Sequence, residues 1–293
     1  MLVDLVQTTT RDGLQLDGIF QSPGAASGGV LLEVEVFCLL HGTGGNFYSS
    51  ALFGELAEQL LGIGCAVLRV NTRGHDGIST AATARGGKRL GAAYETIDDA
   101  RHDLAAWMEW LKQQGSQRIG VMGHSMGAVK AIYSLAREPQ LSPVCLVALS
   151  PPRLSYLAFC AGSGATQFLD SYSRAEQLVA SGQPTALMEV QTPLPYVTTA
   201  AGYVEKYGPD ERYNLLRSLP GVNCPTLVTI GSREAASNMA FQRLPEDLEA
   251  LCRRQQSLHV EVIPDADHAY TGVRSQLFSR IVAWLSPAAG KST

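Results

Sequence analysis

The five residues Gly123-His124-Ser125-Met126-Gly127 constrain this chain more than any other stretch. They follow a short apolar run, Arg118 to Met122, and precede a segment of helical character that continues to about Arg137. A serine in the pattern G-x-S-x-G between a strand and a helix stands on a sharp turn with its hydroxyl lifted above the sheet. Glycine at both flanks removes the Cβ atoms that would hold strand and helix apart. The helix N-terminus beneath the serine favours the negative charge that builds up when its oxygen attacks a carbonyl. On its own the pattern is a common run of small residues; the strand before it and the helix after it give it weight. Ser125 is therefore the candidate nucleophile.

The turn belongs to an alternation that runs along most of the chain. Leu2 to Thr9 and Leu14 to Phe20 are β-type runs separated by Arg11-Asp12-Gly13, a hairpin signal. Val30 to Leu40 is a third run and ends at His41-Gly42-Thr43-Gly44-Gly45. A helix is expected from about Ser50, with Phe53, Leu56, Leu60 and Leu61 on one face, and then a buried strand over Cys65 to Val70 that ends in Asn71-Thr72-Arg73-Gly74. Helical spacing returns at Ile97, Ala100, Leu104, Met108 and Leu111, and a strand at Val144 to Leu149. Strands over Thr226 to Ile230 and Leu258 to Ile263 precede a last helix carrying Val273, Leu277, Ile281 and Leu285. This order predicts an α/β fold, a mostly parallel central sheet with helices on both faces.

Residues 151 to 223 break the rhythm, with helical stretches, many turn formers and no convincing buried strand. They hold six of the ten tyrosines: Tyr156, Tyr172, Tyr196, Tyr203, Tyr207 and Tyr213. Long irregular connections in a compact domain are usually lids or small subdomains. The expected organisation is a core over 1–150 and 224–293 with an inserted helical cap over 151–223. The tyrosines either line an apolar pocket or dock the cap on the core. The stretch Asp76 to Ala93, rich in Gly, Ala and Thr and carrying Arg85, Lys88 and Arg89, reads as a surface loop or a flap at a pocket mouth.

Bulk properties exclude several classes. With 293 residues, 45% hydrophobic and 17% charged, the chain is long enough for one large core. A net charge of −4 offers no general basic surface for nucleic acid or anionic lipid. The start of the sequence shows no signal peptide, and the Val30 to Leu40 run, interrupted by Glu33 and Glu35, is too short and too charged to span a bilayer. The six cysteines stand singly, without metal-type spacing, as expected of buried thiols in a cytoplasmic protein. The loop Gly42 to Phe47 lacks the third glycine of a dinucleotide fingerprint, and no phosphate-loop lysine motif occurs.

The His41-Gly42-Thr43-Gly44-Gly45 loop, the Asn71-Thr72-Arg73-Gly74-His75-Asp76-Gly77 turn, the elbow at Ser125 and the late His268 resemble, in that order, the α/β-hydrolase superfamily of serine esterases and lipases over about residues 10–150 and 224–286. The resemblance implies an oxyanion hole from the backbone N–H groups of Met126 and Thr43, with His41 structural. It places the general base at His268, in the loop Pro264-Asp265-Ala266-Asp267-His268 between the last strand and the final helix. In family order Ser…Asp/Glu…His, the acid falls three residues after Gly231, where this chain has Glu234 instead of the commoner aspartate. Asp265 and Asp267 lie too close to the base in sequence, and Glu246 and Asp247 look like a helix start.

The other histidines read differently. His124 is expected to point away from the triad, His102 to lie on a solvated charged face near Asp98, Asp99 and Asp103, His259 on the sheet surface and His75 at a pocket. Such a triad with its oxyanion hole needs no metal or organic cofactor. The implied activity is hydrolysis of small to medium carboxylic esters through an acyl-enzyme. Acyl transfer by the same triad, and ligand binding without catalysis, are the other classes the fold supports.

Overall fold

A computed structural model describes residues 3–24, 33–84 and 86–286. Leu2 and Val30, expected to open two strands, and Arg85 of the glycine-rich stretch lie outside the described residues. The chain begins with an antiparallel hairpin, β1 (Asp4–Thr9) and β2 (Gln15–Gln21). Then come β3 (Val36–Leu40), helix α1 (Ala51–Gly62) and β4 (Ala66–Val70). The stretch expected as a loop or flap holds a separate antiparallel hairpin, β5 (Ser79–Thr83) and β6 (Gly86–Leu90), whose Ala81 and Leu90 pack on Leu14. Its short Gly- and Ala-rich strands carry almost no apolar alternation, so the sequence gives no strand signal there.

Helix α2 (Ala100–Gln113), β7 (Ile119–His124), α3 (Met126–Arg137) and β8 (Cys145–Leu149) follow. The inserted segment contains α4 (Tyr156–Ala161), α5 (Ala165–Ala180), the antiparallel pair β9 (Leu187–Val190) and β10 (Tyr196–Thr199), α6 (Ala200–Tyr207) and α7 (Leu215–Ser218). The chain closes with β11 (Thr226–Gly231), α8 (Ser232–Ser237), α9 (Leu244–Cys252), β12 (Leu258–Ile263) and α10 (Arg274–Leu285).

Eight strands form one sheet in the order β1-β2-β4-β3-β7-β8-β11-β12. The pairs β1–β2 and β2–β4 are antiparallel and every later pair is parallel. Side chains of the buried strands alternate between two cores, as a strand's two-residue period demands. Val36, Cys38 and Leu40 of β3 pack in the core shared with Leu104, Trp107 and Met108 of α2, while Phe37 and Leu39 join Leu56, Leu60, Leu277 and Ile281 of α1 and α10. All six cysteines are free thiols, four of them buried.

From β3 the chain passes to β4 on one side and returns as β7 on the other. The strand order therefore reverses at β3, and the crevice beyond the carboxyl ends of β3 and β7 is where open α/β sheets place their ligands. The register brings Leu40 opposite Gly123, so the loop after β3 lies beside the elbow after β7. A Cβ on Gly127 would fall 2.1 Å from the Leu40 carbonyl oxygen, so only glycine allows α3 to start this close to β3.

Two expectations need correction. The inserted segment includes strands; β9 and β10 are four residues each and leave Leu187 and Val197 44% and 40% exposed, too short and one-sided to read as buried runs. And the aspartates near His102 are not all solvated. Asp103 is fully buried and accepts from the guanidinium of buried Arg73 at 2.8 and 3.0 Å, while Asp12 accepts from the same group at 3.0 Å. In the inserted segment Tyr172, Tyr203, Tyr207 and Tyr213 are buried, and edge-on or tilted ring contacts join Tyr156, Phe159, Phe168, Tyr172, Tyr203 and Tyr207 into its own aromatic core.

Candidate active site

Ser125 joins β7 to α3 at φ 56° and ψ −125°, a conformation that L-residues avoid and that lifts its side chain off the sheet. Its backbone N–H donates to the Leu149 carbonyl at 2.8 Å, which anchors the turn to β8. The Ser125 Oγ stands 2.9 Å from His268 Nε2, and His268 Nδ1 stands 2.6 Å from Glu234 Oε2. A carboxylate only accepts, so Nδ1 carries the hydrogen toward Glu234 and Nε2 keeps a lone pair for the serine proton. The histidine side chain is 42% exposed and the carboxylate 3%; the imidazole faces outward and the carboxylate is enclosed behind it.

Glu234 owes its place to its own helix. It is the third residue of α8, and its Oε1 reaches back to accept from the Gly231 N–H at 2.7 Å, the reach a glutamate makes in a capping box. The same oxygen accepts from the Ser150 hydroxyl. The acid loop and the histidine loop are laced together, since Arg233 N–H donates to Ala266 O at 3.0 Å and Asp265 N–H donates to Ser232 Oγ at 2.9 Å. Asp267 accepts from the N–H groups of Ala269 and Thr271 at 3.0 and 2.9 Å and so shapes the turn after His268, while Asp247 pairs with Arg153 at 2.5 Å.

The loop after β3 closes over Ser125, and a Cβ on Gly42 would lie 3.0 Å from Ser125 Cβ. The Gly42 carbonyl accepts from His41 Nδ1 at 2.8 Å and from Gly45 N–H at 3.1 Å. Because the peptide is planar and trans, pinning this carbonyl from one side turns the Thr43 N–H to the other. His41 is buried, and its Nε2 accepts from the Thr72 N–H at 3.0 Å. Burial, helped by the charge of Lys130, lowers its pKa to about 3, so it stays a neutral strut. The Met126 N–H opens α3, where helix geometry leaves it without an acceptor inside the helix.

Contrary to the expectation from its place in the elbow, His124 does not point away from His268. Its ring lies 4.9 Å from that of His268 and its Nε2 donates to the His268 carbonyl at 2.7 Å. Burial and the neighbouring His268 lower its pKa to about 4, which keeps it a neutral donor. Phe241 meets His268 from another direction, edge-on at 5.6 Å. No sequence pattern marks Phe241, which follows α8 in an irregular stretch. The sequence signal for His124 is its place inside the elbow: adjacent side chains diverge there, but the histidine loop folds back over both. His75 pairs with Asp76 at 2.8 Å, and His259 with Glu261 at 3.3 Å on the exposed edge strand.

A second polar cluster lies between the core and the inserted segment. Lys130 of α3 is fully buried and its Nζ is 2.5 Å from Glu95 Oε2; Lys206 of α6 stands 3.8 Å from the other Glu95 oxygen. Lys130 also donates to Thr72 Oγ1 at 3.1 Å. Burial alone would raise the Glu95 carboxyl, but the two ammonium groups outweigh it and hold it below its ordinary range. Among the described residues, no group of three or more His, Cys, Asp or Glu could hold a metal, and no helix is long and apolar enough to cross a membrane.

The model of the alpha/beta hydrolase family matches residues 39–278, and the chain belongs to that family. Among solved structures it is similar to the esterase Est1E of Butyrivibrio proteoclasticus with ferulic acid bound (16% identity, 95% of this chain and 97% of that one, TM-score 0.63). It is also similar to the Pyrococcus furiosus esterase Pf2001 (22% identity, 97% and 90%, TM-score 0.62). A third is the α/β hydrolase GrgF of Penicillium sp. sh18 (13% identity, 98% and 99%, TM-score 0.65). At these identities the likeness is one of fold. No curated protein matches the chain.

Proposed function

We propose that this chain is a serine hydrolase that cleaves carboxylic esters of small to medium size through an acyl-enzyme. The observation that carries the reading is the continuous hydrogen-bonded line from Ser125 Oγ through His268 to Glu234, at 2.9 and 2.6 Å. In this mechanism His268 Nε2 takes the Ser125 proton as Oγ attacks the ester carbonyl, and Glu234 stabilises the imidazolium that results. The Thr43 and Met126 N–H groups receive the developing oxyanion. The imidazolium then returns its proton to the leaving alkoxide, and a water activated by the same imidazole releases the acid. Residues 151–223 act as the cap that selects the substrate; their tyrosines mostly build the cap's interior, so selection falls to the residues facing the crevice. Esterases with this fold, among them one that binds ferulic acid, favour the same chemistry.

The test is a panel of p-nitrophenyl esters of increasing chain length, with a fluorophosphonate label and an added alcohol. Wild type is expected to label at Ser125 and release acid. Ser125→Ala should lose roughly 10⁴- to 10⁶-fold in turnover. Retention of most turnover would remove Ser125 as nucleophile, and diversion of the acyl group to the alcohol in preference to water would make the chain a transferase.

A further inference from the structure

Ser150 and Tyr270 stand behind the carboxylate of Glu234, the acid of the proposed triad. This rests on the triad reading and adds residues outside it. Ser150 directly follows β8 and is fully buried, and so is Tyr270, two residues beyond His268. The Ser150 Oγ contacts Glu234 Oε1 and lies 2.8 Å from the Tyr270 hydroxyl, which in turn lies 2.6 Å from Thr229 Oγ1. Proton counting orients this chain. An ionised carboxylate has no hydrogen to give, so the one Ser150 proton goes to Glu234. Ser150 can then only accept from Tyr270, and Tyr270 only accept from Thr229. The result is a one-way line, Thr229 to Tyr270 to Ser150 to Glu234, in which each donor polarises the next. Burial raises the Tyr270 hydroxyl above its ordinary range, so it remains a protonated donor.

The backbone supports a role for the hydroxyls beyond packing. Ser150 at φ 46° and Tyr270 at φ 53° both occupy the left-handed region, in which glycine is the unstrained choice. A serine that served only the turn would be better replaced by glycine. We infer that Ser150 is a positioning residue: with Tyr270 behind it, it fixes the Glu234 carboxylate so that Oε2 meets His268 Nδ1 while Oε1 is fully occupied. Glu234 is thus held by three groups on three loops, the Gly231 N–H, the Ser150 hydroxyl and the His268 imidazole.

Ser150→Gly tests this directly, because it deletes the hydroxyl and relaxes the backbone together. The full chain is assayed with a p-nitrophenyl ester for kcat and KM, and by thermal denaturation. A hydrogen bond to a charged group sets the expected size, a roughly 10- to 100-fold fall in kcat with KM and the melting temperature maintained. Tyr270→Phe should lose less, since Ser150 still donates. Glu234→Gln removes the charged acceptor, so adding Ser150→Gly to it should change kcat little further. Wild-type kcat in both Ser150→Gly and Tyr270→Phe overturns the inference, as does a full additional loss in the Glu234→Gln background. Should Ser150→Gly fail to fold, Tyr270→Phe decides alone, and its keeping wild-type kcat is the overturning result. Full turnover in Ser125→Ala would instead overturn the triad itself, so the two failures are told apart.

Discussion

Two buried glutamates of this chain live in opposite surroundings. Glu95 faces two ammonium groups, Lys130 at 2.5 Å and Lys206 at 3.8 Å. Glu234 is equally enclosed, but among the described residues its partners are a backbone N–H, a hydroxyl and an imidazole, with no lysine or arginine. A carboxylate against permanent cations is already neutralised; it fastens α3 of the core to α6 of the inserted segment and has nothing left for chemistry. A carboxylate held only by neutral donors keeps a charge that a passing positive charge can answer. That is what a base needs behind it when it becomes imidazolium for part of the reaction. On the proposed mechanism, the difference separates a fastening carboxylate from a catalytic one without reference to distance from the serine.

Variants can break this division. The largest effect is expected of Glu234→Gln, which keeps the shape, presents the wrong group to Nδ1 and should lower turnover by roughly 10⁴-fold at nearly unchanged stability. Glu234→Asp should fall between, because the charge survives and the reach of the capping box does not. Glu95→Gln should act the other way round. It strands Lys130 and Lys206 in the interior and is expected to cost about 3–5 kcal/mol in urea denaturation, with any activity loss tracking the unfolded fraction. A Glu95→Gln protein of native stability and low kcat would erase the contrast.

Smaller effects sharpen it. His124→Phe preserves a ring beside His268 but deletes the donor to its backbone carbonyl; about a three- to tenfold fall in kcat is expected, with His124→Asn recovering part of it. The smallest is a matter of pH. His41 and His124 are held neutral, with pKa values lowered to about 3 and about 4, against about 6.5 for a free imidazole. Their stabilising contribution is complete above pH ~6.5 and is lost as pH falls toward 4, because the unfolded chain binds the protons first. Glu205, raised by burial to about 7, works in the opposite direction over part of that range. His124→Asn should therefore flatten the fall in unfolding free energy between pH 6.5 and 4, and an unchanged slope would show that His124 is not held neutral.

The inner strands β3, β7, β8 and β11 were legible because they are buried and apolar almost throughout, so each run between turn formers announces itself. His268 was marked by the family order, after the half-exposed edge strand β12; Ser125 and Glu234 were legible for the same reason as the inner strands, since each hangs just past the end of one. Ser150 hangs past one too, before Pro151-Pro152, yet a serine there is an ordinary turn residue and its partners come from residues 229, 234 and 270. Lys130 was hidden differently. On a helix whose buried face wraps most of the way round, an isolated lysine looks like the solvent side, and its partner Glu95 lies 35 residues earlier in an irregular stretch. The strands β5, β6, β9 and β10 escaped because four or five residues with one covered face give too little alternation to read.

The left-handed backbone at Ser125 has a consequence for descent. On the proposed mechanism, a serine at this position is kept against the backbone's own preference for glycine by the use made of its hydroxyl. In a lineage that no longer needed that use, the same position would be free to relax, and glycine would be the favoured successor, a change that silences the site while making the molecule sturdier. Ser125→Gly should therefore melt above Ser125→Ala although both are inert. Position 125 would then serve as a marker, separating relatives that keep an active site from those that keep only the architecture.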